Sequence, residues 1–125
     1  MSTRFLRIAV VYFVVAIALG LYMGTTNQFT QVPVHAHLNL LGWVSMALFG
    51  LIYQAWPAAG ETRLARWHFW IHNLSVPVFM ALLFLMLAGN AALGPAVGLV
   101  ATITLIGIVL FAVNLWRTIP AANAR

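Results

Sequence analysis

Val34-His35-Ala36-His37-Leu38-Asn39-Leu40-Leu41-Gly42-Trp43 opens a long apolar run and sets two imidazoles and a carboxamide at its head. Polar side chains at the entry to a hydrocarbon-spanning segment are costly, so they face a protein interior and carry function more often than not. Positions i and i+2 of an α-helix lie about 200° apart around its axis. His35 and His37 therefore point to opposite flanks and grip one metal poorly. A helix carrying such a pair reads as a wall between two cofactor sites.

The composition around this stretch fixes the class of protein. Of 125 residues, 64% are hydrophobic and 6% charged, with a formal net charge of +5. No ordinary soluble domain has this balance, so the chain reads as an integral membrane protein and, by length, as a single domain over residues 1–125. The basic excess comes from arginines at the ends of apolar runs, without a basic stripe, which excludes a nucleic-acid surface and marks topology instead. Cysteine is absent, so disulfides, thiolate zinc sites and iron–sulfur clusters are excluded.

Four apolar segments follow in order: residues 5–24, 34–56, 67–88 and 94–116. Each is close to the ~20 residues that cross a bilayer core of about 30 Å. In hydrocarbon they must be helices, because a four-stranded sheet would leave open edges. The expected fold is thus an all-α bundle of four transmembrane helices. Breakers fall between them: Thr25-Thr26-Asn27 and Pro33, Pro57 to Gly60, Gly89-Asn90, and Gly94-Pro95. Arg4 and Arg7 ahead of the first segment resemble the start of a signal peptide. No clear small-x-small cleavage site follows, and a retained first helix is the better reading.

The arginines orient the bundle. Arg4 and Arg7 precede the first segment, Arg63 and Arg66 lie between the second and third, and Arg117 and Arg125 follow the fourth. All six fall on one side, with Glu61, which predicts cytoplasmic termini in a bacterial-type inner membrane. His35 and His37 then sit near the outer end of the second helix, and His68 and His72 near the inner end of the third. At 1.5 Å per residue the two pairs differ in depth by roughly 20 Å, too far for one chain to bring both to one metal.

His35-Ala36-His37 with Asn39, Leu41-Gly42-Trp43-Val44, Phe49-Gly50, Tyr53 and Pro57 resembles the tenth transmembrane helix of the haem–copper oxidase catalytic subunit, subunit I. The likeness is closest to the C-family (cbb-type) oxidases and related nitric oxide-handling membrane proteins. Trp67-His68-Phe69-Trp70 is similar to the start of the following helix in that subunit. The resemblance covers about half the chain, from Val34 to Phe84; the outer segments match only as apolar helices. It implies that His35 and His37 hold haem iron, the first as axial ligand of a high-spin haem and the second of a low-spin haem.

The departures shape what the resemblance implies. The family's subunit has twelve helices, and its copper ligands and proton-channel carboxylates have no counterpart here, so one chain is not an oxidase. That subunit is built as three arcs of four helices around a pseudo-threefold axis, and this chain is the size of one arc. A homotrimer would rebuild the twelve-helix arrangement, with His35 of one copy and His37 of the next facing one pore and ligating one haem b. Asn39, one turn below His35 on the same face, is a candidate to hydrogen-bond the cofactor or a neighbouring helix. Bis-histidine ligation leaves the iron no open position and suits electron transfer with a quinol or cytochrome partner. The alternatives are a nitric oxide- or oxygen-binding haem enzyme with one histidine per haem, and a non-haem accessory subunit of a respiratory oxidase. Copper or zinc on the i,i+2 pair is a weaker fit, since one helix offers neighbouring ligands best at i,i+4.

The remaining polar and small residues have plainer readings. His68 and His72 do have i,i+4 spacing, a metal half-site in principle; the arginines, Trp67, Phe69 and Trp70 around them favour an aromatic belt at the inner interface. Asn73, Ser75, Thr102, Thr104 and Asn114 read as interhelical hydrogen-bonding groups. Pro77 should kink the third helix. Ala16, Gly20 and Gly24, and again Gly94, Gly98 and Thr102, recur every fourth residue and allow close helix approach, within the chain or between copies.

Overall fold

Backbone groups in lipid have no partner but one another, and the chain meets that demand with helices alone. A computed structural model describes residues 1–119; Arg125 lies outside the described residues. Four helices are long and apolar enough to cross a membrane. We call them span one, Ser2–Thr26; span two, Val32–Ala55; span three, Arg63–Leu87; and span four, Gly94–Thr118. The described residues contain no strand. A single helical turn, Pro57–Gly60, and a 3₁₀ turn, Ala91–Leu93, complete the connections.

Three of the four spans begin ahead of the apolar stretches that predicted them, and of those starts only that of span three carries a side-chain cap. Asn27, with φ 52°, closes span one in the left-handed region and returns its N–H to the Met23 carbonyl. Thr62 caps span three by accepting the Ala65 N–H at 3.0 Å. Span three runs unbroken through Pro77. Proline lacks the N–H that would bond the carbonyl four residues back.

Spans one and two pack as one antiparallel hairpin, and spans three and four as another. The hairpins touch at both ends: Gln31 reaches the Phe84 carbonyl and His37 meets Phe79 at one, and Phe5 packs on Phe69 at the other, arginine-bearing end. Met1, Ser2, Tyr53, Gln54 and Glu61 line one recess there, and Thr62 bonds Asn114 of span four at 2.6 Å. Arg4, Arg7, Arg63, Arg66 and Arg117 therefore share one end. An aromatic core fills this half: Phe5, Phe49 and Tyr53 are buried, and Phe111 packs on Phe49 at 4.5 Å between centroids. In lipid such packing is held by dispersion and interhelical hydrogen bonds rather than by expulsion of water.

The polar residues divide. Thr104 donates to Ser75 Oγ at 2.9 Å between spans three and four, and Asn114 donates to the Ala59 carbonyl at 2.8 Å. Asn73 and Thr102 instead bond their own helix, at the Phe69 and Gly98 carbonyls. Asn114 is fully buried and carries the heaviest share, since it also accepts from Thr62. Asn114→Leu leaves the Ala59 carbonyl and the Thr62 hydroxyl without their partner, and is expected to cost about 1–3 kcal/mol. The midpoint of detergent-induced unfolding measures this; an unchanged midpoint would show the pair to be dispensable.

The two small-residue stripes behave differently. Ala16 is buried and Gly20 faces His35 of span two, so these two work within the chain, whereas Gly24 is exposed and an added Cβ there would meet nothing within 4 Å. Gly94 and Gly98 meet no other side chain within 4 Å of where a Cβ would stand, and Thr102 is exposed. The second stripe faces outward.

Candidate functional site

Helix geometry dictates where the span-two histidines look. Pro33 lies in the first turn of span two, pre-set for helix entry, and residues Val32–His37 are α-helical. His35 accordingly faces span one and His37 faces span three. The His35 imidazole sits over Gly20, where a Cβ would come within 2.8 Å of its Cε1. The His37 ring meets Phe79 edge-on, with centroids 5.3 Å apart. Both imidazoles are partly exposed.

Their hydrogen bonds fix the tautomers. His35 Nδ1 lies 2.9 Å from the Ala16 carbonyl and His37 Nδ1 lies 2.7 Å from the Pro33 carbonyl. A carbonyl only accepts, so each Nδ1 donates, and in the neutral ring each Nε2 carries a lone pair. An Nδ1–H held by a backbone carbonyl with Nε2 left basic is the state of a metal-ligating histidine. Asn39 donates to the His35 carbonyl at 3.0 Å and approaches His35 Nε2 at 3.4 Å. The structure thus brings Asn39 to His35 and sets His37 on the other flank.

Beyond His37 the helix widens. Leu38–Val44 form a π-helical stretch, in which the Ser45 N–H reaches the Leu40 carbonyl and the Ser45 hydroxyl bonds the same oxygen at 2.6 Å. Such turns occur mainly as single insertions and cluster at functional sites. Here the Leu41 carbonyl tips toward span three and accepts from His72 Nε2 at 3.1 Å. Gly42 lets the Tyr12 ring lie against the widened turn.

This corrects the reading of His68 and His72 as members of an interfacial belt. Trp67 and Trp70 are exposed, at 64% and 58%, as a belt requires, but both histidines are fully buried at 0%. The 3.6-residue period separates them: His68, Phe69, His72, Ser75, Val76, Phe79, Met80 and Leu83 form the inward face of span three. His68 bonds the Tyr53 hydroxyl at 3.0 Å and stacks on Phe5 at 5.2 Å. Tyr53 and Gln31, whose side chain ties the head of span two to the Phe84 carbonyl at 3.4 Å, were not singled out as polar anchors from sequence. Their burial beside apolar neighbours gives no sequence signal. Among the described residues no three of His, Cys, Asp or Glu gather to hold a metal ion.

Comparison with known proteins bears on this geometry. Over 56 residues, 40% of the chain, it is 38% identical to the cytochrome c oxidase subunit 1 homolog of Agrobacterium tumefaciens. Over 53 residues, 38% of the chain, it is 34% identical to the bacteroid cytochrome c oxidase subunit 1 homolog of Bradyrhizobium diazoefficiens. This chain is similar to part of cytochrome c oxidase subunit 1. The match spans about 10% of the length of either relative. No family profile and no solved structure matches the chain. These relatives support a distant link to the haem–copper oxidases for a multi-pass membrane protein.

Proposed function

We propose that this chain binds haem b through His35 and His37 as a homotrimer and carries electrons, with a quinol or a cytochrome as redox partner. The observation that supports it most is the matched state of the two imidazoles. Each commits Nδ1–H to a backbone carbonyl and presents a basic Nε2, on opposite flanks of one helix. These donors fit haem iron. Within one chain the two flanks are separated by span two itself, so a bis-histidine site joins His35 of one copy to His37 of the next. Closed cyclic symmetry then satisfies every copy equally, and the outward stripe of Gly94 and Gly98 offers a face for close approach. Haem would supply a one-electron couple; the chain's own part is to orient the imidazoles through their Nδ1–H bonds to backbone carbonyls. Asn39 gives up a long contact to His35 Nε2 on ligation and keeps its shorter bond to the His35 carbonyl. The arginine-rich end, on this reading, lies at the cytoplasmic face of the inner membrane.

Absorption spectroscopy of detergent-purified protein, with native mass spectrometry on the same sample, tests the proposal. The expected result is a low-spin b-type spectrum on a trimer, unchanged by carbon monoxide after reduction. Colourless protein, or a monomer that retains haem, would overturn it. A carbon monoxide-shifted spectrum would assign the protein to the gas-binding class instead.

A further inference from the structure

Span three turns two unlike faces to its surroundings. The inward face carries His68, His72, Val76 and Phe79. On the opposite face, the 3.6-residue period gathers Arg63, Arg66, Trp67, Trp70, Leu74 and Val78 within an arc of about 120°. All six are exposed. Two depressions follow one another along this arc. At the arginine-bearing end Arg63, Arg66, Trp67 and Trp70 line a recess of about 300 Å³. Deeper along the helix, Ile71, Leu74, Ser75 and Val78 form a groove of about 300 Å³ with Val100 and Ile103 of span four.

The two depressions differ in chemistry. The recess suits an anion: Arg63 and Arg66 are neighbours at i,i+3, and each guanidinium offers phosphate a planar fork of donors. Glu61, the chain's single acidic side chain, lines a different recess with Tyr53 and Gln54 and does not neutralise them there. Trp67 and Trp70 add rings with an apolar body and one N–H each, the residue type that settles at headgroup level. The groove is hydrocarbon apart from Ser75, whose hydroxyl is taken up by Thr104 and the His72 carbonyl. A free phosphate would fill the recess and leave the groove empty; a bare hydrocarbon chain would do the reverse. From Arg66 to Val78 the helix rises about 18 Å, comparable with one leaflet's half of the roughly 30 Å hydrocarbon core. A single molecule with an anionic head and an acyl chain matches both.

We propose that this face of span three seats one anionic phospholipid, with its phosphate on Arg63 and Arg66 and an acyl chain in the groove between spans three and four. Val100 and Ile103 lie on the opposite side of span four from Gly94 and Gly98, so the lipid leaves that stripe free for a second copy. None of these residues belongs to the span-two pair, and the site stands whether or not His35 and His37 hold haem.

Native mass spectrometry of the detergent-purified protein, titrated with dioleoyl-phosphatidylglycerol or dioleoyl-phosphatidylcholine, tests it. One phosphatidylglycerol per chain should be held at least tenfold more tightly than phosphatidylcholine, and excess inorganic phosphate should not displace it. Arg63→Gln and Arg66→Gln should each weaken it roughly fivefold, the effect of one interfacial charge. Arg4→Gln and Arg7→Gln, at the same end but on span one, should leave it unchanged. Ile103→Trp, which fills the groove from its exposed rim, should weaken the dioleoyl lipid severalfold and spare the dihexanoyl one. All five positions are exposed, and far-ultraviolet circular dichroism and elution volume should match wild type. Equal retention of the two lipids, an equal loss from the span-one variants, displacement by inorganic phosphate, or dioleoyl binding untouched by Ile103→Trp would each overturn the proposal.

Discussion

His35→Ala and His37→Ala are each expected to remove haem completely from the purified protein, measured as the haem-to-chain ratio by pyridine haemochrome assay. If every haem takes His35 from one copy and His37 from the next, losing either residue empties all sites, and the two variants should be equally pale. Neither imidazole is needed to hold the bundle. Each is partly exposed; His37 bonds only the Pro33 carbonyl, and His35 bonds the Ala16 carbonyl of span one through Nδ1 with a longer contact from Asn39 at Nε2. The Pro33 carbonyl belongs to the same helix turn as His37, so His37→Ala leaves no interhelical contact broken except that with Phe79. Folding should survive, and colour should not. His68→Gln and His72→Gln should keep the haem ratio, since their rings bond Tyr53 and, one turn beyond His37, the Leu41 backbone carbonyl, and no hydrogen bond among the described residues joins either ring to His35 or His37. Normal haem in His37→Ala would leave one axial histidine and an open position, favouring a gas-binding enzyme. Loss confined to the span-three variants would mean that the wrong pair had been assigned.

The division of labour between the two histidine pairs was half legible in the sequence. Opposed directions for His35 and His37 follow from helix geometry alone, and the structure places one against span one and the other against span three. The burial of His68 and His72 did not follow. Arginines and tryptophans flank them within the first turns of span three, and an interfacial segment of that composition looks alike on all sides until its neighbours are known. The periodic inward set that includes Phe69, Val76, Phe79 and Leu83 was present in the sequence, but the two imidazoles and Ser75 interrupted it as an apolar stripe.

The π-helical stretch was less legible still. Its widened turn is stabilised by groups distant in sequence: His72 on the Leu41 carbonyl, and the Tyr12 ring against Gly42. Ser45 bonding the Leu40 carbonyl is the one local contribution, and a serine in a spanning helix commonly bonds back to its own backbone whatever the helix type. By contrast, the four spans and the clustering of arginines at one end depend on hydropathy and charge alone. Those appear in any window of the chain, and the ends moved by a few residues, Asn27 closing span one and Thr62 opening span three.

Two glycines, Gly42 on span two and Gly20 on span one, should separate stability from cofactor binding. At Gly42 an added Cβ would stand 2.6 Å from both Cγ and Cδ1 of Tyr12 and 2.8 Å from its Cβ. These are the stem of the ring and not its free end, so the ring cannot swing clear without moving span one. Gly42→Ala is therefore expected to cost about 1–3 kcal/mol as overpacking, read as a lower midpoint of detergent-induced unfolding. Tyr12→Ala in the same chain should recover part of the loss. At Gly20 the added Cβ meets His35 Cε1 at 2.8 Å and Nδ1 at 3.2 Å, the far end of a side chain that rotates. The bundle should absorb Gly20→Ala at a cost of about 1 kcal/mol, that of the interhelical His35–Ala16 bond, less than the overpacking at Gly42. The imidazole shifts in position: it loses the bond from Nδ1 to the Ala16 carbonyl that holds its tautomer and orientation. Loss of such an outer partner typically weakens a metal ligand by ~10–100-fold. Haem titration of the Gly20→Ala protein should show that loss in a chain that keeps its fold. Wild-type haem affinity in Gly20→Ala would mean that His35 is not a ligand held by span one, whatever the His35→Ala variant does.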